Sequence, residues 1–194
     1  MFSFTPSYSE NTMPAIKTHP IFSSSSVEWG TPRPLFDALD TVYAFALDAA
    51  SSPENALCDT YFTQADDGLS QDWHPYRRVW LNPPFGRGIE KWMRKAYEES
   101  RRGCIVVCLV PARVDTRWWH DWVSGKAHVT FLKGRLKYVD YSKAARPSGT
   151  SPFPSALLTY TPDVVHGGAG AAEYKSLWPL GPRAGYGTGH RAHG

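Results

Sequence analysis

Asn82, Pro83, Pro84 and Phe85 follow directly on the apolar triplet Val79-Trp80-Leu81, and their types suit one kind of chemistry. An amine on an aromatic ring is a weak nucleophile, because its lone pair is delocalised into the ring. Two hydrogen-bond acceptors facing its two N–H groups help hold that lone pair on nitrogen. The carboxamide oxygen of Asn82 can be one acceptor. The carbonyl of Pro83 can be the second, since consecutive prolines cannot join a strand ladder and leave the local backbone free to point outward. Phe85 offers a face for a ring to stack on. The restricted backbone at Pro83-Pro84 fixes these groups before a substrate arrives, which lowers the entropy lost in reaching an aligned geometry. A rigid strand-ending turn would use the same residues, so the surroundings decide between the two readings.

Those surroundings alternate helix and strand signals between about residues 27 and 162, a pattern that predicts an α/β sheet. Thr31 and Pro32 read as an N-cap and first-turn proline for a helix with Leu35, Phe36 and Leu39 on one face. Tyr43 to Leu47 reads as a buried strand ending at Asp48, and Val79 to Leu81 as a second strand ending at Asn82. Ile89, Trp92, Met93, Ala96 and Tyr97 follow helical spacing up to Gly103, with Arg101 and Arg102 in the last turn. Cys104 to Val110 has the continuous apolar character of a central parallel strand, ended by Pro111. A helix capped by Asp115 or Thr116 carries Trp118, Trp119 and Trp122. Val129-Thr130-Phe131 and Leu136-Lys137-Tyr138 then flank Lys133-Gly134 as a hairpin, and Ser155 to Tyr160 supplies a last strand. The expected fold is a doubly wound, mostly parallel sheet with an antiparallel hairpin at one edge. Ligands in such sheets bind outside the carboxyl ends of the strands, which puts Asp48 and Asn82 in one crevice.

The ends differ in composition. Residues 1–26 are rich in Ser, Thr and Pro, residues 163–194 in Gly, and both read as flexible flanks of a single 27–162 domain. No apolar run reaches the length of a membrane span and no signal-peptide order opens the chain, so the cytoplasm is the expected location. Cys58, Cys104 and Cys108 show no C-x-x-C spacing and suggest neither a disulfide framework nor a zinc site. Residues 1–76 hold two basic and ten acidic side chains, whereas Arg77 to Arg146 holds sixteen basic against six acidic. A polyanion would suit the basic stretch, and a solvated surface with charges alternating in space is an equal reading of the imbalance alone.

Asn-Pro-Pro-Phe after an apolar strand resembles the catalytic loop of amino-methyltransferases. The likeness extends to Trp29-Gly30-Thr31-Pro32, Leu35-Phe36-Asp37-Ala38-Leu39, Leu47-Asp48-Ala49-Ala50-Ser51, Leu109-Val110-Pro111-Ala112-Arg113, Trp118-Trp119-His120, Gly134-Arg135-Leu136 and Pro152-Phe153-Pro154-Ser155. Together these resemble the phage-type DNA N6-adenine methyltransferase (Dam-like) family over about Trp29 to Tyr160. The resemblance implies a Rossmann-like sheet, S-adenosyl-L-methionine as cofactor, and DNA as the partner, within a bacterial host cell if the protein is phage-encoded. It implies that DNA is gripped by the basic stretch and the adenine flipped out of the stack, and that its N6 attacks the cofactor methyl in line. No metal is needed for that transfer. Asn82, Pro83, Pro84 and Phe85 are then the catalytic set. Asp48 takes the place of the acidic cofactor-motif residue, with Ala49 beside it and Thr31 and Pro32 contributing from the preceding loop. Ala49-Ala50-Ser51-Ser52 stands where a Gly-rich turn is usual.

Other residues keep two readings. Asp67 can face the cofactor's adenine or ribose, or belong to an Asp-Gly turn. Arg113 can contact a phosphate or pair with Asp115 on the surface. Arg87, Lys143 and Arg146 suit nucleic-acid backbone, although the loop from Ser142 to Pro154 can equally be an uninvolved surface segment. Trp118 and Trp119 read as packing residues, and His120 has no partner carboxylate assignable from sequence. The same loop would also serve cytosine N4, an RNA adenine or a protein glutamine amide, and an inactive DNA-binding relative would keep the basic stretch without the transfer.

Overall fold

The computed structural model describes residues 29–141 and 150–163 in full, and residues 146–147 by their backbone. The flanks read from sequence as flexible, and Lys143, lie outside the described residues. Among the described residues, eight strands and three α-helices run in the order β1 (Trp29–Gly30), α1 (Arg33–Tyr43), β2 (Leu47–Asp48), β3 (Arg78–Leu81), α2 (Ile89–Arg101), β4 (Ile105–Pro111), α3 (Arg117–Trp122), β5 (His128–Phe131), β6 (Val139–Asp140), β7 (Arg146–Pro147) and β8 (Ser155–Tyr160), with a short 3-10 turn at His74–Tyr76 before β3.

Five strands form the main sheet in the order β2-β3-β4-β8-β5. β2, β3 and β4 are parallel, and β8 is antiparallel to both of its neighbours. β5 therefore runs in the same direction as β4, and four carboxyl ends meet along one edge. β1, β6 and β7 make a separate three-stranded antiparallel sheet.

Period-2 alternation divides the side chains of the main sheet between two cores. Val79, Leu81, Val106, Cys108, Val110, Ala156, Leu158 and Tyr160 pack on one side with Met93 and Ala96 of α2 and Trp118 and Trp119 of α3. Trp80, Val107, Leu109 and Leu157 pack on the other with Phe36 and Leu39 of α1 and with Tyr138. Both faces are covered, as near-continuous apolar strands require. The α2 periodicity read from sequence is borne out over Ile89–Arg101, and Gly103 follows it with φ 104°.

Three local expectations are corrected. Residues 136–138 form no strand of a hairpin with β5: Tyr138 is fully buried in the second core, and the antiparallel partner of β5 is β8. Lys133-Gly134 is a real bend, with Gly134 at φ 83°, but the chain beyond it leaves the main sheet for β6. Most of the strand expected at Tyr43–Leu47 is absent, because α1 runs to Tyr43 and ends on Ala44 in the left-handed region, residues 44–46 are irregular, and β2 begins only at Leu47. Thr31 does not cap α1. Pro32 holds the N-cap position, without a side-chain cap.

Placing β8 inside the sheet makes Leu158 a central residue with no exposed surface. Leu158→Ala should cost about 2–5 kcal/mol of unfolding free energy, the usual range for a buried leucine. Urea denaturation gives the value, and a loss below about 1 kcal/mol, as expected of a peripheral strand, would contradict this topology.

Candidate active site at the carboxyl edge of the sheet

The parallel register sets Leu47 beside Val79 and Asp48 beside Trp80, with the Ala49 amide bonded to the Trp80 carbonyl at 3.0 Å. Asp48 and Asn82 thus leave adjacent strands at the same edge, as expected from sequence. The end of β4 continues that edge at Ala112 and Arg113, and the segment after β5 returns to it, since the Leu132 amide bonds the Ser155 carbonyl where β8 begins.

Asn82 is held by one end of its side chain. Its Nδ2 donates to the Trp29 carbonyl at 2.6 Å, across 53 residues of sequence. A carbonyl only accepts, so this bond fixes which half of the amide is nitrogen and turns Oδ1 the other way. Oδ1 is buried and has no hydrogen-bond partner among the described residues. The Pro83 carbonyl also receives no donor among them, whereas the Pro84 carbonyl accepts from Gly86 at 3.1 Å. Two neighbouring acceptors are therefore left unmet at one strand end, where buried acceptors ordinarily find partners.

Aromatic side chains frame this position. Phe85 meets Tyr138 and Phe153 edge-on, with ring centroids 5.7 Å apart in each case. Trp29 meets the same two rings at 5.5 and 5.3 Å. Tyr138 is anchored by a 2.9 Å hydrogen bond between its hydroxyl and Ser155 Oγ, and burial pushes that hydroxyl well above its usual titration range. Trp29, Tyr138 and Phe153 carried no role in the sequence reading. Trp29 and Phe153 stood within its quoted motifs, and Tyr138 was assigned to a strand.

Asp48 is the second buried polar group at this edge. Its carboxylate is buried and accepts from the Leu57 amide at 3.2 Å and, at the limit of a hydrogen bond, from the Ala50 amide at 3.5 Å. Burial pushes the carboxyl up to about 7, and these two backbone bonds only partly oppose it. Thr31 Oγ1 and Ser51 Oγ are buried without partners. Ser51 lies in the turn that replaces a Gly-rich one, and no local sequence signal marks it. A buried hydroxyl left unbonded costs about 1–3 kcal/mol, so this set fits a polar ligand better than it fits packing. Pro32 is half-buried and Ala49 fully buried.

Asp67 is exposed, with φ 50°, in the turn that Asp66 ties through Thr63. The next residue, Gly68, packs so closely on the Ala49 carbonyl that a β-carbon there would collide with it. The turn reading of Asp67-Gly68 therefore holds, and the same turn is pressed against the end of β2.

Arg87 and Arg113 are exposed and make no ion pair among the described residues, so the Arg113–Asp115 pair is absent. Lys133, Arg135 and Lys137 join them, exposed and unpaired, on the segment that follows β5 at this edge. By contrast, the helices pair many of their cations: Arg94 with Glu98, Lys95 and Arg102 with Glu99, and Arg117 with Glu90 and Asp121. For Arg146 only the backbone is described, in β7 opposite Asp140. Trp118 and Trp119 are buried packing residues, as expected, and His120 is exposed.

The structure is thus an α/β domain whose mixed five-stranded sheet carries an aromatic-framed pair of unmet acceptors and a buried carboxylate at one edge. The DNA N-6-adenine-methyltransferase (Dam) family model matches residues 21–162, and the chain belongs to that family. It is 32% identical over 120 residues to the DNA N-6-adenine-methyltransferase of Escherichia phage T1, covering 61% of this chain and 50% of that protein. It is 20% identical over 142 residues to the DNA N-6-adenine-methyltransferase of Haemophilus phage HP1 (strain HP1c1), covering 72% of this chain and 81% of that protein. The chain thus spans about half the length of the phage T1 relative.

The raised Asp48 carboxyl has a direct consequence for stability. Below about pH 4 it is protonated both folded and unfolded and costs nothing. As pH rises toward 7 the unfolded chain ionises while the folded one resists, so the penalty grows, and above about 7 it is complete. Asp48→Asn should therefore raise the unfolding free energy at pH 8 by a few kcal/mol and change it little at pH 4. Denaturant titrations at the two pH values check the sign. A variant less stable than the parent at pH 8 would contradict the assignment.

Proposed function

We propose that the chain transfers a methyl group from S-adenosyl-L-methionine to the N6 amine of adenine in DNA. The observation that carries this reading is the unmet, buried Oδ1 of Asn82 beside the unmet carbonyl of Pro83. Two unmet acceptors on consecutive residues suit the two N–H groups of an exocyclic amine. The names of the two phage relatives favour adenine in DNA over cytosine N4, RNA adenine or protein glutamine as the source of that amine.

Asn82 and Pro83 accept from N6 and keep its lone pair on nitrogen, while Phe85, framed by Tyr138 and Phe153, provides the ring face against which the base rests. Pro84 contributes by restricting the loop. Reaching this recessed site from a duplex requires the adenine to leave the stack. Asp48 would receive the cationic amino-acid end of the cofactor through charge-assisted hydrogen bonds, with Thr31 and Ser51 offering hydroxyls and Pro32, Ala49 and the Asp67 turn lining the remainder. The cofactor supplies an electrophilic methyl group on a sulfonium sulfur. Arg87, Arg113, Lys133, Arg135 and Lys137 hold DNA phosphates, and the sequence adds Lys143 and Arg146 as further phosphate contacts.

Incubation with labelled S-adenosylmethionine and unmethylated DNA of varied sequence, followed by mass spectrometry of the nucleosides, should yield N6-methyladenine. Its absence would sink this reading. Asn82→Ala should lower turnover by about 100-fold or more, by analogy with removal of one aligned hydrogen-bonding group at a reacting centre, while cofactor and DNA still bind.

A separate measurement tests the DNA track. Replacing Lys133, Arg135 and Lys137 together by Ala should flatten the log Kd against log salt slope by roughly 2–3, at about 0.9 for each phosphate that is no longer neutralised. An unchanged slope would remove that segment from the DNA face.

A further inference from the structure

We propose that the backbone carbonyl of Trp29 is the positioning group of the active site, and that it makes asparagine, rather than aspartate, obligatory at position 82 for turnover at neutral pH. The inference rests on the reading of Asn82 as an acceptor for the target amine.

Asn82 can present Oδ1 to a substrate only while its other side-chain atom is spoken for. The 2.6 Å bond to the Trp29 carbonyl does this. Trp29 is itself placed twice: β1 pairs Trp29 with Asp140 and Gly30 with Val139 of β6, and the indole packs edge-on against Tyr138 and Phe153. Gly30 leaves no space for a side chain, since a β-carbon there would collide with the Tyr141 ring and crowd the Val139 carbonyl. The small sheet thereby fixes the height of one carbonyl, and that carbonyl fixes the orientation of one amide.

Aspartate has the same shape as asparagine and no N–H. At position 82 an ionised carboxylate would set an oxygen against the Trp29 carbonyl, two acceptors at hydrogen-bond distance with no proton between them, and the side chain would turn away. Protonation restores the missing donor, because a carboxylic acid donates through its O–H and still accepts through its carbonyl oxygen. The titratable and charged groups on the neighbouring elements are Asp48 at the end of β2, Tyr138 before β6, Asp140 opposite Trp29, and Arg87 on the loop itself. All four are present in parent and variant alike, so the ratio of the two rates at each pH removes the effects they share.

The experiment has two arms, one independent of activity. The chain has three asparagines, Asn11, Asn55 and Asn82, so selective ¹⁵N-asparagine labelling gives three side-chain amide signals, with Asn82→Asp identifying the third. The Asn82 amide protons should exchange with water at least 10-fold more slowly than those of Asn55, whose Nδ2 donates to nothing among the described residues, and Gly30→Ala should remove that protection. Equal exchange would overturn the proposal whether or not the chain methylates DNA. In the second arm, at saturating cofactor and DNA, Asn82→Asp should turn over at least 100-fold more slowly than the parent at pH 8, and the variant-to-parent ratio should rise at least 10-fold by pH 5.5. Near-parental turnover at pH 8 would overturn the proposal, as would a ratio flat with pH in a variant that still binds cofactor. Failure of the parent to methylate adenine would count against the proposed function, leaving the amide exchange result to judge the Trp29 bond.

Discussion

A carboxamide has a donating end and an accepting end, and folding satisfies only the donating end of Asn82. The bond from its Nδ2 to the Trp29 carbonyl ties the mixed main sheet, whose β3 runs into the Asn-Pro-Pro-Phe loop, to the small antiparallel sheet that begins with Trp29. Much of the surrounding construction holds those two ends at a fixed separation. β2 and β4 flank β3 and set where Asn82 emerges, while β6 and the rings of Tyr138 and Phe153 set where Trp29 lies. Removing either support would leave the amide free to turn, and a turned amide presents the wrong end to an amine.

The unmet polar atoms at this edge are a standing cost. Asn82 Oδ1, Thr31 Oγ1 and Ser51 Oγ are buried without partners, and the Asp48 carboxylate is desolvated with only two backbone donors. At about 1–3 kcal/mol for each unsatisfied group, the edge would claim a large share of the net stability of an ordinary domain. Two well-filled cores offset it: Trp73, Trp80, Leu47, Leu81, Met93, Leu109 and Leu158 are fully buried, and aromatic rings meet across both faces of the sheet. Such local conflict inside a well-packed frame is what separates a ligand site from a packing defect.

Charge shows the same division of labour. The excess of basic residues after Arg77 is ambiguous as a number, since it fits either a polyanion surface or a set of solvated ion pairs. The fold divides it into paired and unpaired cations. Glu99, almost wholly buried, takes Lys95 and Arg102, and Glu98 takes Arg94, so much of the helical charge is neutralised locally. Among the described residues, the cations of Arg87, Arg113, Lys133, Arg135 and Lys137 find no such partners, and they lie on the segments that follow β3, β4 and β5. Periodicity could not separate these groups, because pairing on a helix is local whereas convergence of three loops on one edge is a property of strand order.

That difference between local and non-local information also decides what could be read in advance. α2, β4, β8 and the acceptor loop carry their signals within a few residues, and each was legible. The end of α1 was not, because Ala44 takes the left-handed conformation that usually falls to glycine or asparagine, and the Tyr43 and Phe45 rings stack across it as a continuous apolar run. The partner of β5 was misplaced because Gly134 marks a bend without saying which sheet the chain joins next. Thr31 has the local look of a cap, but Pro32 holds the N-cap position and the Thr31 hydroxyl is buried without a partner among the described residues. The Trp29–Asn82 bond spans 53 residues and has no local signature at all. The two acceptors consequently differ in origin: Pro83 is set by its own ring and its neighbour's, whereas Asn82 is set by the register of two sheets. Their mutual alignment is therefore a property of the junction between those sheets, and a shift at the junction would displace one acceptor while leaving the other in place.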